Sequence, residues 1–347
     1  GLIEEVASNV PRLDYSDGTC PSLLLEPERL QKIQYSEDFS NWNTSSNAIV
    51  TYESNVIAPD GSMGVYRIKL PALTSTFVSS NNFSIASLGF LSCYVKSANT
   101  GNDDFGLYKG GGSIPSSFTA TSDWNRFELE VDSSTVNMVI INGNDTFVSD
   151  IYVWGAQAEQ GSYPTSYIPN YGTALGITRS ADTANGAGNA STFNDSEGVL
   201  MVESSALAND GTYRNICLSD GGLTNRILIQ YTPTANQINI IIVHSTGQYS
   251  LSHTVSNVKD FSKFLLKYKV NDLALWVNGF EVDTDTSGVL PIGLNTLSFD
   301  NTIGDAFYSN TKQIQYFDSA LNDSDLEKIT SWTSFTAMAN GQSYTII

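Results

Sequence analysis

The sequence predicts an all-β protein built as two tandem antiparallel β-sandwiches with one short C-terminal helix. Its 347 residues exceed what one hydrophobic core usually serves, so two domains are expected. Only 15% of the residues are charged while Asn, Ser, Thr, Gly and Tyr abound, the composition of many short strands joined by turns. Two phrases far apart, Glu37-Asp38-Phe39-Ser40-Asn41-Trp42 and Ala156-Gln157-Ala158-Glu159-Gln160-Gly161-Ser162-Tyr163-Pro164-Thr165-Ser166-Tyr167-Ile168-Pro169, bracket a stretch of short alternating apolar and polar runs. Such runs are how strands with one buried face are written.

Residues 1–32 read as an extended lead-in, because Pro11, Pro21 and Pro27 interrupt any regular element. The first domain spans 33–169, with strands expected at Ala48–Glu53, Gly64–Lys69, Phe77–Ser79, Gly89–Lys96, Phe105–Tyr108, Asn125–Val131, Asn137–Ile141 and Ser149–Gln157. Eight short strands suit a jelly roll. Residues 170–196 are rich in Gly, Ala, Asn and Thr and read as a linker. The second domain, 197–347, shows strands at Gly198–Ser204, Arg214–Ser219, Arg226–Tyr231, Gln237–Val243, Lys263–Val270, Leu273–Val277, Leu297–Ile303 and Gln313–Phe317. Asn278-Gly279 supplies two positive φ angles and predicts a tight hairpin. A helix opens at Asn322 or Ser324 as N-cap and turns Leu326 and Ile329 toward the sheet edge.

The formal charge of −19, with no Lys/Arg cluster to offset it, argues against a nucleic-acid partner and against anionic lipid. It suits neutral glycans, divalent cations or basic protein patches, or serves solubility alone. No apolar stretch is long enough for membrane insertion, and no signal peptide is visible. Cys20, Cys93 and Cys217 show neither metal spacing nor a disulfide framework, and Cys93 reads as a buried strand thiol. Starting at Gly1, the chain is expected to continue a longer polypeptide. Without heptads, a homo-oligomer would form through sandwich surfaces or segments upstream.

Five segments carry a resemblance: Asn9-Val10-Pro11-Arg12-Leu13-Asp14-Tyr15; Cys20-Pro21-Ser22-Leu23-Leu24-Leu25-Glu26-Pro27; Tyr35 to Trp42; Gln157 to Pro169; and Thr178-Arg179-Ser180-Ala181-Asp182. In this order they resemble bacteriophage structural proteins of the tail-fibre, receptor-binding or head-decoration type. The second domain resembles the concanavalin A-like, laminin-G-like sandwich, through Glu197 to Glu203, Leu275-Trp276-Val277-Asn278-Gly279 and Ile314 to Leu326. Ala337-Met338-Ala339-Asn340 and Tyr344-Thr345-Ile346-Ile347 resemble the native end of such a protein. The resemblance implies a virion structural protein at the virion surface, without enzymatic activity, meeting host-surface glycan and other virion proteins. Rival readings are the carbohydrate-binding region of a secreted or cell-surface bacterial polysaccharide-degrading enzyme, a glycoside hydrolase or lyase, and a purely architectural virion protein. The first domain also resembles carbohydrate-binding jelly rolls that hold a structural Ca²⁺, which would place Glu37 or Asp38 and Asp150 as ligands, oxygen donors that suit that ion.

For glycan binding, Tyr94, Lys96, Tyr108, Trp124 and Asn142 supply rings for stacking and groups for hydrogen bonds, although strand tryptophans such as Trp124 and Trp276 are more often core. The loops Asp220-Gly221-Gly222 and Asp300-Asn301 are a second place for a ligand. Glu128, Glu130 and Asp132 share one strand face, a spacing similar to that of laminarinase-like glycosidases. Their position at a turn, in the first domain, favours a solvated face. His244 and His253 flank a turn without metal-ligand spacing, and Lys109-Gly110-Gly111-Gly112-Ser113 lacks the ending of a phosphate loop.

Overall fold

The computed structural model describes residues 3–332 apart from 17, 19, 46, 73–75, 111–115, 133 and 143–147. Residues 111–113 of the segment Lys109–Ser113 and the expected native end after 332 lie outside the described residues. The architecture is nearly all β, every strand pairing is antiparallel, and one short helix closes the described chain. Two compact units emerge: residues up to Ala7 with Pro27–Ala181, and Ser8–Glu26 with the chain from Asp182 onward.

The first unit packs two five-stranded sheets. One runs Asn125–Val131, Gly89–Ser97, Ser149–Gln160, Met63–Leu70, Ile49–Ile57; the other runs Ser116–Ala120, Asp103–Lys109, Met138–Asn142, Phe77–Ser79, Asn43–Thr44. Alternation sends Leu91, Cys93, Val95, Ile68, Leu70, Ile151 and Val153 inward against Phe105, Leu107, Met138 and Ile140. All eight strands expected here are present, and the short Asn43–Thr44, Phe83–Ile85, Ser116–Ala120 and Ser134–Val136 strands are additional.

A bulge decides what the long strand Ser149–Gln160 shows to each side. Its register against Gly89–Ser97 slips between Trp154 and Gln157, at Gly155, whose φ of +63° is left-handed. Before the bulge Ile151 and Val153 face the core; after it Ala156 and Ala158 do, which turns Gln157 and Glu159 onto the outer face. Both are fully buried there by the returning chain. Glu159 accepts from Thr165 N–H (2.8 Å), Thr165 Oγ1 (2.6 Å) and Gln157 Nε2 (2.5 Å), and lies 3.4 Å from Arg29. Gln157 accepts from Ile168 N–H at 2.7 Å, and buried Gln31 accepts from Ile33 and Ala158 N–H at 3.0 and 2.9 Å. Ser36 Oγ accepts from Asn170 N–H at 2.8 Å. The second bracketing phrase and the strip Arg29–Ser36 just ahead of the first are thus the two halves of one polar clasp.

The second unit packs a seven-stranded sheet on a five-stranded one, with Leu200, Val202, Ile216, Leu218, Ile229, Ile240, Phe264, Leu266 and Phe307 between them. Asn278 and Gly279, at φ +49° and +91°, make the expected hairpin, pairing Val277 with Phe280. The helix Asp323–Ser331 is capped by Asn322, whose side chain accepts from Asp325 N–H at 3.1 Å. It covers the outer face of the sheet rather than its edge: Leu326 and Ile329 pack on Val199, Met201, Leu265, Ala274 and Trp276.

Three expectations shift. Residues 1–32 are not merely a connector, because Leu13–Asp14 and Ser22–Leu24 pair together and extend the seven-stranded sheet through Leu23↔Thr311 and Leu24↔Asn310. Arg12 bonds Glu26 and Asp182 while Asp182 accepts from Glu26 N–H (2.8 Å), so three quoted phrases form one knot. The span 170–196 is structured in part: Ile177–Arg179 pairs with Arg29–Gln31, and Phe193 enters the second core. The strand expected at Leu297–Ile303 covers only Thr296–Ser298, since Asp300 accepts from Thr302 N–H (2.7 Å) and Thr302 takes a φ of +77°.

Candidate functional site

Three of the five residues chosen for ligand contact meet on the outer face of the sheet that contains the bulge. Trp124 stands just before Asn125, which pairs with Val95, while Lys96 pairs with Tyr152 and Tyr152 with Arg67. The result is a row crossing four strands in the order Trp124, Lys96, Tyr152, Arg67. Lys96 Nζ lies 5.6 Å from the Trp124 ring centre and 5.7 Å from that of Tyr152. Both contacts are within cation–π range. Trp124 Nε1 donates to Ile57 O at 2.9 Å, which fixes the ring, and all four side chains keep part of their surface in solvent.

A second row lies alongside. The Arg126 guanidinium sits 5.8 Å over the Tyr94 ring, Tyr94 meets Trp154 edge-on at 5.7 Å, and Trp154 packs on Tyr167 at 4.5 Å. Trp154 is buried with Ala58 and Val65, so this row anchors the exposed one. Sequence reasoning missed Tyr152, Arg126 and Arg67. Tyr152 was legible, since alternation with Ile151 and Val153 sends it outward.

Tyr108 and Asn142 belong to the other sheet. Tyr108 pairs with Val139 on that sheet's outer side, where burial pushes its hydroxyl above the usual tyrosine range. Asn142 is only 8% exposed, and its amide donates to Leu70 O (2.8 Å) and Pro71 O (2.6 Å), a structural contact that takes it out of the row.

The carboxylates expected at a metal are held in separate networks. Asp150 receives both arms of Arg67 at 2.6 Å, with Lys69 at 3.9 Å. Asp38 caps the turn Phe39–Asn41, accepting from Ser40, Asn41 and Tyr66; although partial burial works against ionisation, these bonds hold its carboxyl below the usual range. Glu37 accepts from Tyr167 at 2.8 Å, yet burial raises its carboxyl above the usual range. Among the described residues no group of three or more His, Cys, Asp or Glu is placed to hold a metal ion.

Glu128 and Glu130 project into solvent from an edge strand, Glu128 lying 3.7 Å from Arg126, and Asp132 pairs with Lys109. This is the solvated face expected of them. His244 stacks on Tyr249 and bonds Thr246 at its hairpin turn, while His253 pairs with Ile238 along the next strand. In the second unit, Asp195 accepts from Gly293 and Leu294 N–H (2.6 and 2.9 Å) beside an open cavity of about 470 Å³. Asp220 folds back on its own loop, accepting from Gly222 N–H and Asn225 Nδ2.

No protein-family model matches the chain, and no curated protein sequence matches it. Among solved structures it is similar to the CBM40 domain of a Ruminococcus gnavus sialidase, at 15% identity over 43% of this chain and 95% of that one, with a TM-score of 0.36. It is similar to domain 4 of an extracellular arabinanase from Geobacillus stearothermophilus, at 10% identity over 41% and 70% of the two chains, with a TM-score of 0.35. A Xenopus laevis galectin matches at 13% identity over 39% and 99%, with a TM-score of 0.28. The arabinanase domain is described in complex with arabinotriose; at such scores the likeness carries no inference about what this chain binds.

Proposed function

We propose that this chain is a non-catalytic glycan-binding protein whose contact surface is the Trp124–Lys96–Tyr152–Arg67 row. One observation carries the reading: two partly exposed rings stand on a rigid strand surface, fixed by neighbours, with a cation between them. Sugar rings present flat C–H faces that stack on aromatic rings, and sites on strands hold their geometry better than sites on loops. The setting on a virion surface rests on the ordered phrases of the sequence alone. Recovery of the chain from purified phage particles would support it; a catalytic segment upstream among polysaccharide-degrading genes would favour the rival module.

The test is a glycan array with the intact chain and with Tyr152→Ala and Trp124→Ala. Glycans should be retained without being shortened, and each variant should lose retention while its circular dichroism spectrum stays unchanged. Undiminished retention in both variants would remove the row from the site. Release of reducing ends, abolished by Glu130→Gln, would overturn the non-catalytic reading.

A further inference from the structure

The row contains an anchor whose chemistry selects among glycans. Of the four side chains, Trp124 spends its N–H on Ile57 O, and Arg67 spends its fork on Asp150. Lys96 is different. Among the described residues no carboxylate lies within 4.0 Å of its Nζ, and its contacts are the two ring faces at 5.6 and 5.7 Å. The other cations of this face each have an acid: Arg67 has Asp150 and Glu53, Lys69 has Asp150, and Arg126 has Glu128. Although the net charge of −19 disfavours polyanions as a whole, this face presents a partly exposed ammonium held between rings and left without an acid, the exception among its cations.

We propose, resting on the glycan-binding reading above, that the row takes acidic glycans and that Lys96 Nζ receives the carboxylate or sulfate of the sugar. An ammonium offers three donors and no acceptor, which matches a group that only accepts. A neutral sugar's hydroxyls both donate and accept, and are better met by amides or acids; the row itself presents neither. The rings on either side take the apolar faces of the sugar. From Trp124 to Arg67 the row spans three strand intervals, about 14 Å, so the bound unit is a short oligosaccharide with its charge near the middle. Glu53, 4.0 Å from Arg67, disfavours a charge placed at that end of the row.

Matched pairs decide it: uronic-acid oligosaccharides against the same compounds reduced to the neutral alcohol, and sulfated against desulfated ones, titrated on the intact chain. One acidic series should bind at least about tenfold more tightly than its neutral partner, a difference that shrinks with added salt. The carboxylate and sulfate arms show which group is used. Lys96→Gln should abolish the preference and Lys96→Arg should keep it, both with unchanged melting temperature. Neutral partners bound equally well, with loss in Tyr152→Ala but not in Lys96→Gln, would overturn the acidic class while leaving the glycan-binding site standing. Retention of no glycan at all would overturn both.

Discussion

Replacing Glu159 should unfold the first unit selectively, and the size of the effect follows from its partners. The carboxylate is fully buried, takes three hydrogen bonds at 2.5–2.8 Å, and faces Arg29 at 3.4 Å. Glu159→Ala strands two donors of Thr165, one of Gln157 and a guanidinium that is itself largely covered. Stranding one partner of a buried pair costs about 3–5 kcal/mol, and the donors alone about 1–3 kcal/mol each. Because such losses are not additive, about 4 kcal/mol is expected, and about 2 kcal/mol for Glu159→Gln, which keeps the size and one acceptor. Native-state hydrogen exchange read by mass spectrometry localises the loss. Peptides from Ser149–Gln160 and Met63–Leu70 should lose protection by roughly 10³-fold, the equivalent of that energy, while those from Glu197–Ala206 stay unchanged. A loss under about 1 kcal/mol, or one shared equally by both units, would refute the clasp as the support of this fold.

Three further outcomes are expected. A thiol reagent should label one cysteine in the native chain and three in denaturant, because Cys20 is exposed while burial pushes Cys93 up to about 12 and Cys217 up to about 11; labelling of two or three native thiols would contradict the packing. A fragment starting at Asp182 lacks the hairpin that pairs with Ser309–Phe317 and the buried Leu25. Its unfolding free energy should fall by about 2–3 kcal/mol and recover when a peptide of residues 8–26 is added. Chelator should leave the melting temperature of the intact chain within about 1 °C, since Asp150 already has Arg67; a larger drop reversed by Ca²⁺ would return the ion to the account.

Alternation located every expected strand of the first unit, because each has one wet and one dry face. What it could not reveal was the bulge at Gly155: a period of two carried through Ser149–Gln157 keeps Gln157 on the side of Ile151, and one inserted residue reverses this. The same reversal hides the clasp, since polar residues in the last strand read as solvent-facing until a second strip of chain covers them. Tyr94, Lys96 and Trp124 were recognisable as ring and cation types, but their union depended on the register between Asn125 and Val95. Asn142 looked like a donor for ligand and turned out to bond the backbone at Leu70 and Pro71. The prolines of the lead-in argued against regular structure, yet strand pairs of two or three residues fit between them.

The pairing of Ser22–Leu24 with Ser309–Phe317 also sets a timetable. During synthesis the hairpin leaves the ribosome early, whereas the strand that receives it follows roughly 285 residues later, a delay of roughly 15–60 s at typical translation speeds. Meanwhile residues 27–181 can complete their own two sheets, so the first unit matures as an insert within a second unit begun earlier and finished later. Until then the nascent hairpin is an unpaired edge, and Leu13, Leu23 and Leu25 are open to association with another copy's late strand. A chain present in many copies would then have to pair Ser22–Leu24 with its own Ser309–Phe317 before the matching strands of neighbouring copies meet.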